Sequence, residues 1–178
     1  MSQLIYENDI RIIEATPRQI PLLRNLGEQT FREAYAEDTD AKSMELYLEK
    51  TFTIANVEAD FDNPKTKFLL ASYDSVWAGY ALLRWDRSHE LLEGAATMML
   101  HRIYVLKDFW RQKIGSILLK HIIDFAKTQG YEWLWLVVWD QNLRAVNFYQ
   151  KWGFEHFGYE KFHFGEEIND DWAMRLKL

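Results

Sequence analysis

Three consecutive segments restrict this chain more than any other feature. Met98 to Leu106 reads as a strand, Ile114 to Lys127 is apolar at helical spacing, and Trp133 to Val138 is an unbroken apolar run. Within the helix, Ile114, Leu118, Ile122 and Phe125 form one stripe, flanked by Leu119, Ile123 and Ala126. Gln129-Gly130 stops it. A short strand that is apolar throughout is covered on both faces. Strand, helix, strand at this spacing is a crossover unit, so the two strands are expected to run parallel.

The rest of the chain is built around that unit. Asn8 to Glu14 alternates weakly and reads as a first strand. Thr16 followed by Pro17 starts a helix that reaches about Ala34. Further helices are expected over Ser43 to Lys50 and Ile54 to Phe61, the latter ended by Asn63-Pro64. Phe68 to Tyr73 and Trp77 to Trp85 form a hairpin about Asp74-Ser75. Arg87 to Ala96 reads as a polar loop. After Val138, Asp140 or Asn142 caps a helix carrying Leu143, Val146 and Tyr149 and ending at Gly153. Phe154 to Phe164 and Trp172 to Leu178 close the chain as strands around a Gly165–Asp171 turn. The pattern predicts one α/β (α+β) domain over residues 1–178 in three layers.

Composition narrows the chemistry. The 178 residues are 48% hydrophobic and 16% aromatic, which suits a packed domain rather than a disordered chain. With no cysteine there is no disulfide, thiolate metal site or cysteine nucleophile. The longest apolar run, Trp133 to Trp139, falls far short of the roughly 20 residues of a membrane helix. Met1 to Glu14 has no leader pattern. A cytoplasmic location is therefore expected, with no membrane partner. A net charge of −6 argues against a nucleic-acid partner. There is no Gly-x-Ser-x-Gly elbow and no phosphate-binding Gly-x-x-x-x-Gly-Lys loop. His156 and His163 have poor spacing for a metal, so none is expected.

The chemistry concentrates in Arg102 to Leu119. A strand ends, a basic turn follows, and a helix begins at Ile114-Gly115-Ser116. Unpaired N–H groups at a helix start favour a phosphate, and Gly115 lets a ligand approach the backbone. Arg111, Gln112 and Lys113 add donors and charge. An ordinary solvated connection would look the same locally.

The next helix carries a second signal, Asn142-Leu-Arg-Ala145-Val-Asn-Phe148-Tyr149-Gln-Lys-Trp-Gly153-Phe154. Together the two segments resemble the acetyl-CoA-binding core of the GNAT acetyltransferases. Thr30 to Tyr35, Tyr47-Leu-Glu, Asp62-Asn-Pro64, Arg102-Ile-Tyr-Val105 and Phe164-Gly165…Asp171…Met174 extend the resemblance to the PaiA-type polyamine acetyltransferases. It implies a central, mixed, mostly antiparallel sheet of about seven strands with helices on both faces. It implies acetyl-CoA as co-substrate and a small-molecule amine as acceptor. Ile103, Tyr104 and Val105 would pair with the pantetheine arm. Trp110, Arg111, Gln112, Lys113, Ile114, Gly115 and Ser116 would wrap the pyrophosphate. Asn142 would touch the pantetheine, and Tyr149 would face the sulfur. The family pattern has Gln or Arg, two residues, Gly, one residue, then Gly or Ala; this chain has Trp110, Lys113 and Gly115 there. Lys113 can present its N–H if its φ is negative.

Amine acetylation needs a neutral amine, an oxyanion donor and a proton for the leaving thiolate. A backbone N–H near Ile103 or Tyr104 is the candidate donor. Tyr149, with an ordinary pKa of about 10, is the candidate acid, or else it only packs in the core. Alternation puts positions 99, 101 and 103 on one face. His101 then either takes the amine proton or is a hydrogen-bonded structural residue. Glu33, Tyr35, Glu37 and Asp171 are candidates for binding the amine, as are Asp38, Glu166, Glu167 and Asp170; solvated loop charges are the plainer reading of the acids. The alternatives are acetylation of a protein lysine or N-terminus, and a CoA-binding module without turnover. The closing hairpin, with exposed aromatics, is a surface on which two copies can pair as a homodimer.

Overall fold

A computed structural model describes residues 5–7, 9–164 and 167–178. A single sheet of eight strands runs through it, in the order β1-β2-β3-β4-β5-β6-β8-β7. The strands are β1 (Ile5–Glu7), β2 (Ile10–Glu14), β3 (Thr66–Tyr73), β4 (Val76–Arg84), β5 (Thr97–Val105), β6 (Trp133–Val138), β7 (Glu155–Phe164) and β8 (Glu167–Lys177). The helices are α1 (Ile20–Tyr35), α2 (Ala41–Thr51), α3 (Ile54–Asp62), α4 (Ile114–Thr128) and α5 (Leu143–Lys151). All neighbouring strands pair antiparallel except β5 and β6, which are parallel across α4 as the crossover requires. The expected architecture is present, with β1 added at one edge.

Helices α2, α3 and α5 each begin where a side chain accepts from one of the first N–H groups. Asp40 Oδ1 accepts from the Ser43 N–H (3.0 Å), Thr53 Oγ1 from Asn56 (3.0 Å) and Asn142 Oδ1 from Ala145 (3.1 Å). Asn142, not Asp140, is therefore the cap of α5. Before α1, the Thr16 N–H donates to Gln19 Oε1 (2.8 Å), and Pro17 opens a 3₁₀ turn. Helix α4 has no side-chain cap; it opens on Lys113 in the left-handed region, φ 60°. The negative φ on which presentation of the Lys113 N–H is conditioned is therefore absent.

Burial divides between the two faces of the sheet. On one face, Ile114, Leu118, Leu119, Ile122 and Ala126 of α4 and Val146 and Tyr149 of α5 pack on Met98, Leu100, Leu134 and Leu136. Each fully buried aliphatic side chain is worth about 1.5–3 kcal/mol. On the other face, Ile20, Leu23 and Leu26 of α1 and Val57 of α3 cover Phe68, Leu70, Tyr80 and Leu82. An aromatic cluster of Phe31, Tyr47, Phe52 and Phe164 joins α1 and α2 to β7.

Two strand details differ from the expected pattern, and both bear on the site. Leu82 lies opposite Arg102 while Leu83 lies opposite Leu100, so β5 bulges by one residue at His101. Alternation therefore changes phase there. Met98 and Leu100 face α4, but beyond the bulge it is Ile103 and Val105 that do so. Met99 and Ile103 thus lie on opposite faces, contrary to the expectation for 99, 101 and 103. The final hairpin is also longer than expected. Phe164 pairs with Glu167 and Glu160 with Asp171, so Asp171 is inside a strand and not at the end of a turn. Gly165 and Glu166 lie outside the described residues. The Arg87–Ala96 loop contains a short 3₁₀ turn, Glu90–Leu92.

Candidate active site

The parallel pairing of β5 with β6 covers only Thr97↔Trp133, Met98↔Leu134 and Met99↔Trp135. Beyond Met99 the strands splay, while β5 continues to pair with β4 as far as Val105. A cavity of about 560 Å³ opens at the splay. It is lined by β5 from Met99 to Tyr104, by Trp135, Val137 and Val138 of β6, by Asn142, Arg144 and Tyr149 at α5, by Phe31 and Tyr35 of α1, and by Glu160 and Asp171 of the final hairpin.

Among the predicted residues, the cavity brings together Tyr149, His101, Ile103, Tyr104, Asn142, Tyr35, Asp38 and Asp171. Tyr149 is 8% exposed, with its ring against Phe148 and Phe154. Burial, and then Tyr35, push its phenol well above the ordinary value, so it keeps its proton. Burial also raises Tyr35, with Tyr104 and Asn142 opposing the shift. His101 Nδ1 is buried without a hydrogen-bond partner among the described residues. Burial, then Arg102, Arg84 and Arg87, push the ring well below its usual range. Asp171 is 5% exposed, and its Oδ1 also lacks a partner among those residues. Burial, then Asp140 and Asp170, push its carboxyl up to about 6.

Glu33 and Glu37 are not in this cavity. They line a smaller recess with Lys107, Trp110 and Arg144. Glu33 Oε2 accepts the Lys107 N–H (2.7 Å), and Glu37 Oε1 meets Lys107 Nζ at 3.3 Å. Both acids hold the chain where it leaves β5. The sequence reading missed Arg144, whose guanidinium lies 3.3 Å from the Trp110 ring centroid, and Arg102, which lies over Phe52 at 4.8 Å. Arg144 stands inside the Asn142 motif, but nothing in the sequence points it at Trp110.

The turn before α4 carries the remaining predicted residues. Arg111, Gln112 and Lys113 are exposed, Ser116 is half-buried, and Ile114 is a core side chain. The Gln112 N–H donates to Phe109 O (3.0 Å), so it serves the turn itself. The Trp110 indole N–H donates to Val105 O at 2.7 Å. A Cβ on Gly115 would meet only Phe148 and Val105 side-chain atoms at 3.9 Å, ordinary contact distance. The protein's own packing does not require glycine there, whereas a ligand lying on the helix start would. Among the described residues no group of three or more His, Asp or Glu could hold a metal, and no helix is long and apolar enough to cross a membrane.

Comparison with known proteins finds similar N-acetyltransferases. An uncharacterised N-acetyltransferase of Lactobacillus delbrueckii subsp. lactis is 27% identical over 173 residues, covering 95% of this chain and 98% of its own. The crystal structure of PaiA N-acetyltransferase from Thermoplasma acidophilum, in complex with coenzyme A, superposes with a TM-score of 0.73 at 21% identity, covering 95% and 99% of the two chains. The ribosomal protein bS18 alanine N-acetyltransferase of Salmonella typhimurium is 42% identical over 55 residues, covering 31% of this chain and 37% of its own. With the splayed parallel pair and the uncapped start of α4 in place, the match of residues 27–154 to the model of the acetyltransferase (GNAT) family shows that this chain belongs to that family.

Proposed function

We propose that this acetyltransferase moves the acetyl group of acetyl-CoA to a small primary amine, of the polyamine class, by direct attack of the amine on the thioester. The observation that carries the reading is the splay of β5 from β6 after Met99, with Tyr149 and Asn142 on the wall of the cavity that opens there. The residues fit a CoA. Beyond Met99 the backbone of β5 has no ladder partner on β6, the start of α4 has no side-chain cap, and Gly115 leaves room over it. Ile103 to Val105 and Asn142 would hold the pantetheine arm, and residues 110 to 116 the pyrophosphate. When bound, acetyl-CoA supplies an acyl group already activated toward amines.

The protein's own groups orient, exclude water and supply a proton. Tyr149 gives its phenolic proton to the departing sulfur. A backbone N–H near Ile103 or Tyr104 stabilises charge on the acyl oxygen. Holding amine and thioester together supplies much of the acceleration. The polyamine class is supported by Asp38, Asp40, Glu160 and Asp171 on the cavity wall, and by the PaiA likeness.

A protein N-terminus is the second reading, favoured by the similarity to the alanine N-acetyltransferase. Thiol release from acetyl-CoA, measured against spermidine, spermine, putrescine, lysine and a lysine peptide, tests both. Saturable release with a polyamine is the expected result. Release with the peptide alone would move the acceptor to proteins. No release with any amine would leave a CoA-binding module and overturn the transferase reading.

A further inference from the structure

We infer that Asp171 is the catalytic base of this site, the group that takes the proton from the acceptor's ammonium. The inference rests on the acetyl-transfer reading and adds to it the residue that the sequence left open. Asp171 is 5% exposed, it lines the same cavity as Tyr149, and its Oδ1 has no hydrogen-bond partner among the described residues. A buried carboxylate without a partner is costly, and an incoming cation removes that cost.

The other charged groups of the cavity have partners or lie in solvent. Asp40 caps α2, Glu160 approaches His89 Nε2 at 4.0 Å, and Asp38 is exposed. Lys161 pairs with Asp170 (2.6 Å), Arg144 stacks on Trp110 and Arg102 on Phe52. No cation pairs with Asp171 among the described residues.

The groups around Asp171 come from every neighbouring element. Glu160 stands directly opposite on β7, and Asp170 precedes it on β8. Asp140 approaches from the turn before α5, and Tyr35 from α1. Tyr149 and Arg144 of α5 and Tyr104 of β5 share the cavity. Asp140 and Asp170 oppose a negative charge at Asp171, and an ammonium beside that carboxylate offsets them. Burial, then Asp140 and Asp170, raise the Asp171 carboxyl to about 6, in the range that suits a base at neutral pH. His101, pushed well below its usual range, holds a proton poorly and is the weaker candidate.

The proton count closes. The Asp171 carboxylate takes one proton from the ammonium and passes it to water. The neutral nitrogen forms its bond to the acetyl carbon, the carbon–sulfur bond breaks, and sulfur receives the Tyr149 proton. The second proton of the new amide nitrogen returns to Tyr149 through water. One proton is released per turnover.

The test is thiol release by the full chain, wild type and Asp171→Asn, from about pH 5 to about pH 10. The acceptor is whichever of spermidine, spermine, putrescine, lysine or the lysine peptide has the highest kcat/KM, and CoA affinity is measured for both proteins. Expected for the wild type is a kcat that falls on the acid side with an apparent pKa near 6. Expected for Asp171→Asn is a loss of about 100-fold in kcat at neutral pH, partly recovered at high pH, with CoA affinity unchanged. An unchanged kcat, or a loss equal at every pH, overturns the assignment while leaving acetyl transfer intact. No wild-type turnover overturns the transferase reading and this one with it. If Asp171→Asn does not fold, the wild-type profile decides, and a kcat that stays level to about pH 5 overturns the proposal.

Discussion

Tyr149 owes its proposed role to where it is buried. With its phenol held protonated by the cavity wall, Tyr149→Phe should lower kcat by about 100-fold and leave CoA affinity nearly unchanged, measured by steady-state kinetics and calorimetry. Gly115 tests the other end of the site. Because a Cβ there meets only ordinary contacts, Gly115→Ala should raise stability by up to ~1 kcal/mol. The same change should weaken CoA binding by about tenfold, ~1.4 kcal/mol. Loss of both together would mean that glycine serves the fold. Asp171 carries a pH signature of its own. Its folded pKa, about 6, is raised above the ordinary 3.8, so the fold binds its proton more tightly than the unfolded chain does. The penalty is fully present above about pH 6 and gone below about pH 4. Thermal melts of Asp171→Asn should therefore show a higher Tm than wild type at neutral pH and no gain at low pH. Tyr149 and Gly115 were legible because each sits in a motif whose chemistry depends on local spacing. Asp171 was legible only as an acid. Asn169-Asp170-Asp171 reads as a polar turn, and the cavity that Asp171 lines is completed by residues such as Tyr35, which lie far off in the chain.

At the level of elements, the helices and central strands could be read because apolar periodicity is a local property. The strand Trp133–Val138 and the start of α4 at Ile114 match the structure residue for residue. The bulge in β5 could not be read, because it is set by how Leu82 and Leu83 of β4 register against it. The left-handed Lys113 escaped for a similar reason: the turn from Lys107 to Gln112 fixes its backbone, and its side chain gives no sign of it. Trp110 links the end of β5 to α5, donating to Val105 O and stacking under Arg144. If Val105 is part of the pantetheine wall, that indole occupies an oxygen that the ligand would use. Trp110→Phe keeps the ring and removes the donor. It should tighten CoA binding by about threefold to tenfold, the worth of one hydrogen bond, read as a lower Kd. Weaker binding would make the indole part of the cradle instead.

For the molecule as a whole, the cavity lies where two halves of one sheet, β1 to β5 and β6 to β8, are joined by only three paired positions, Thr97 to Met99. A ligand that fills the splay joins β5 and α4 to β6 and α5. At about 100 times its Kd, CoA should stabilise the fold by about 2.7 kcal/mol, a Tm rise of roughly 5 to 10 °C in a domain of this size. Differential scanning fluorimetry with CoA checks this, and no shift at saturating ligand would count against the cradle. The fold class was legible at this scale because the order of elements allows few topologies. The cavity was not, since its walls come from α1, β5, β6, α5 and the final hairpin.

The extra residue at His101 has a practical meaning for anyone redesigning the cavity. It works like a frameshift within a two-letter alphabet of inward and outward positions. A library that varies every second residue from Met99 would mutate two different walls, and many of its members would spoil the packing under α4. A library at Met99, Arg102 and Tyr104 explores one continuous surface, because the strand must be counted afresh after the slip.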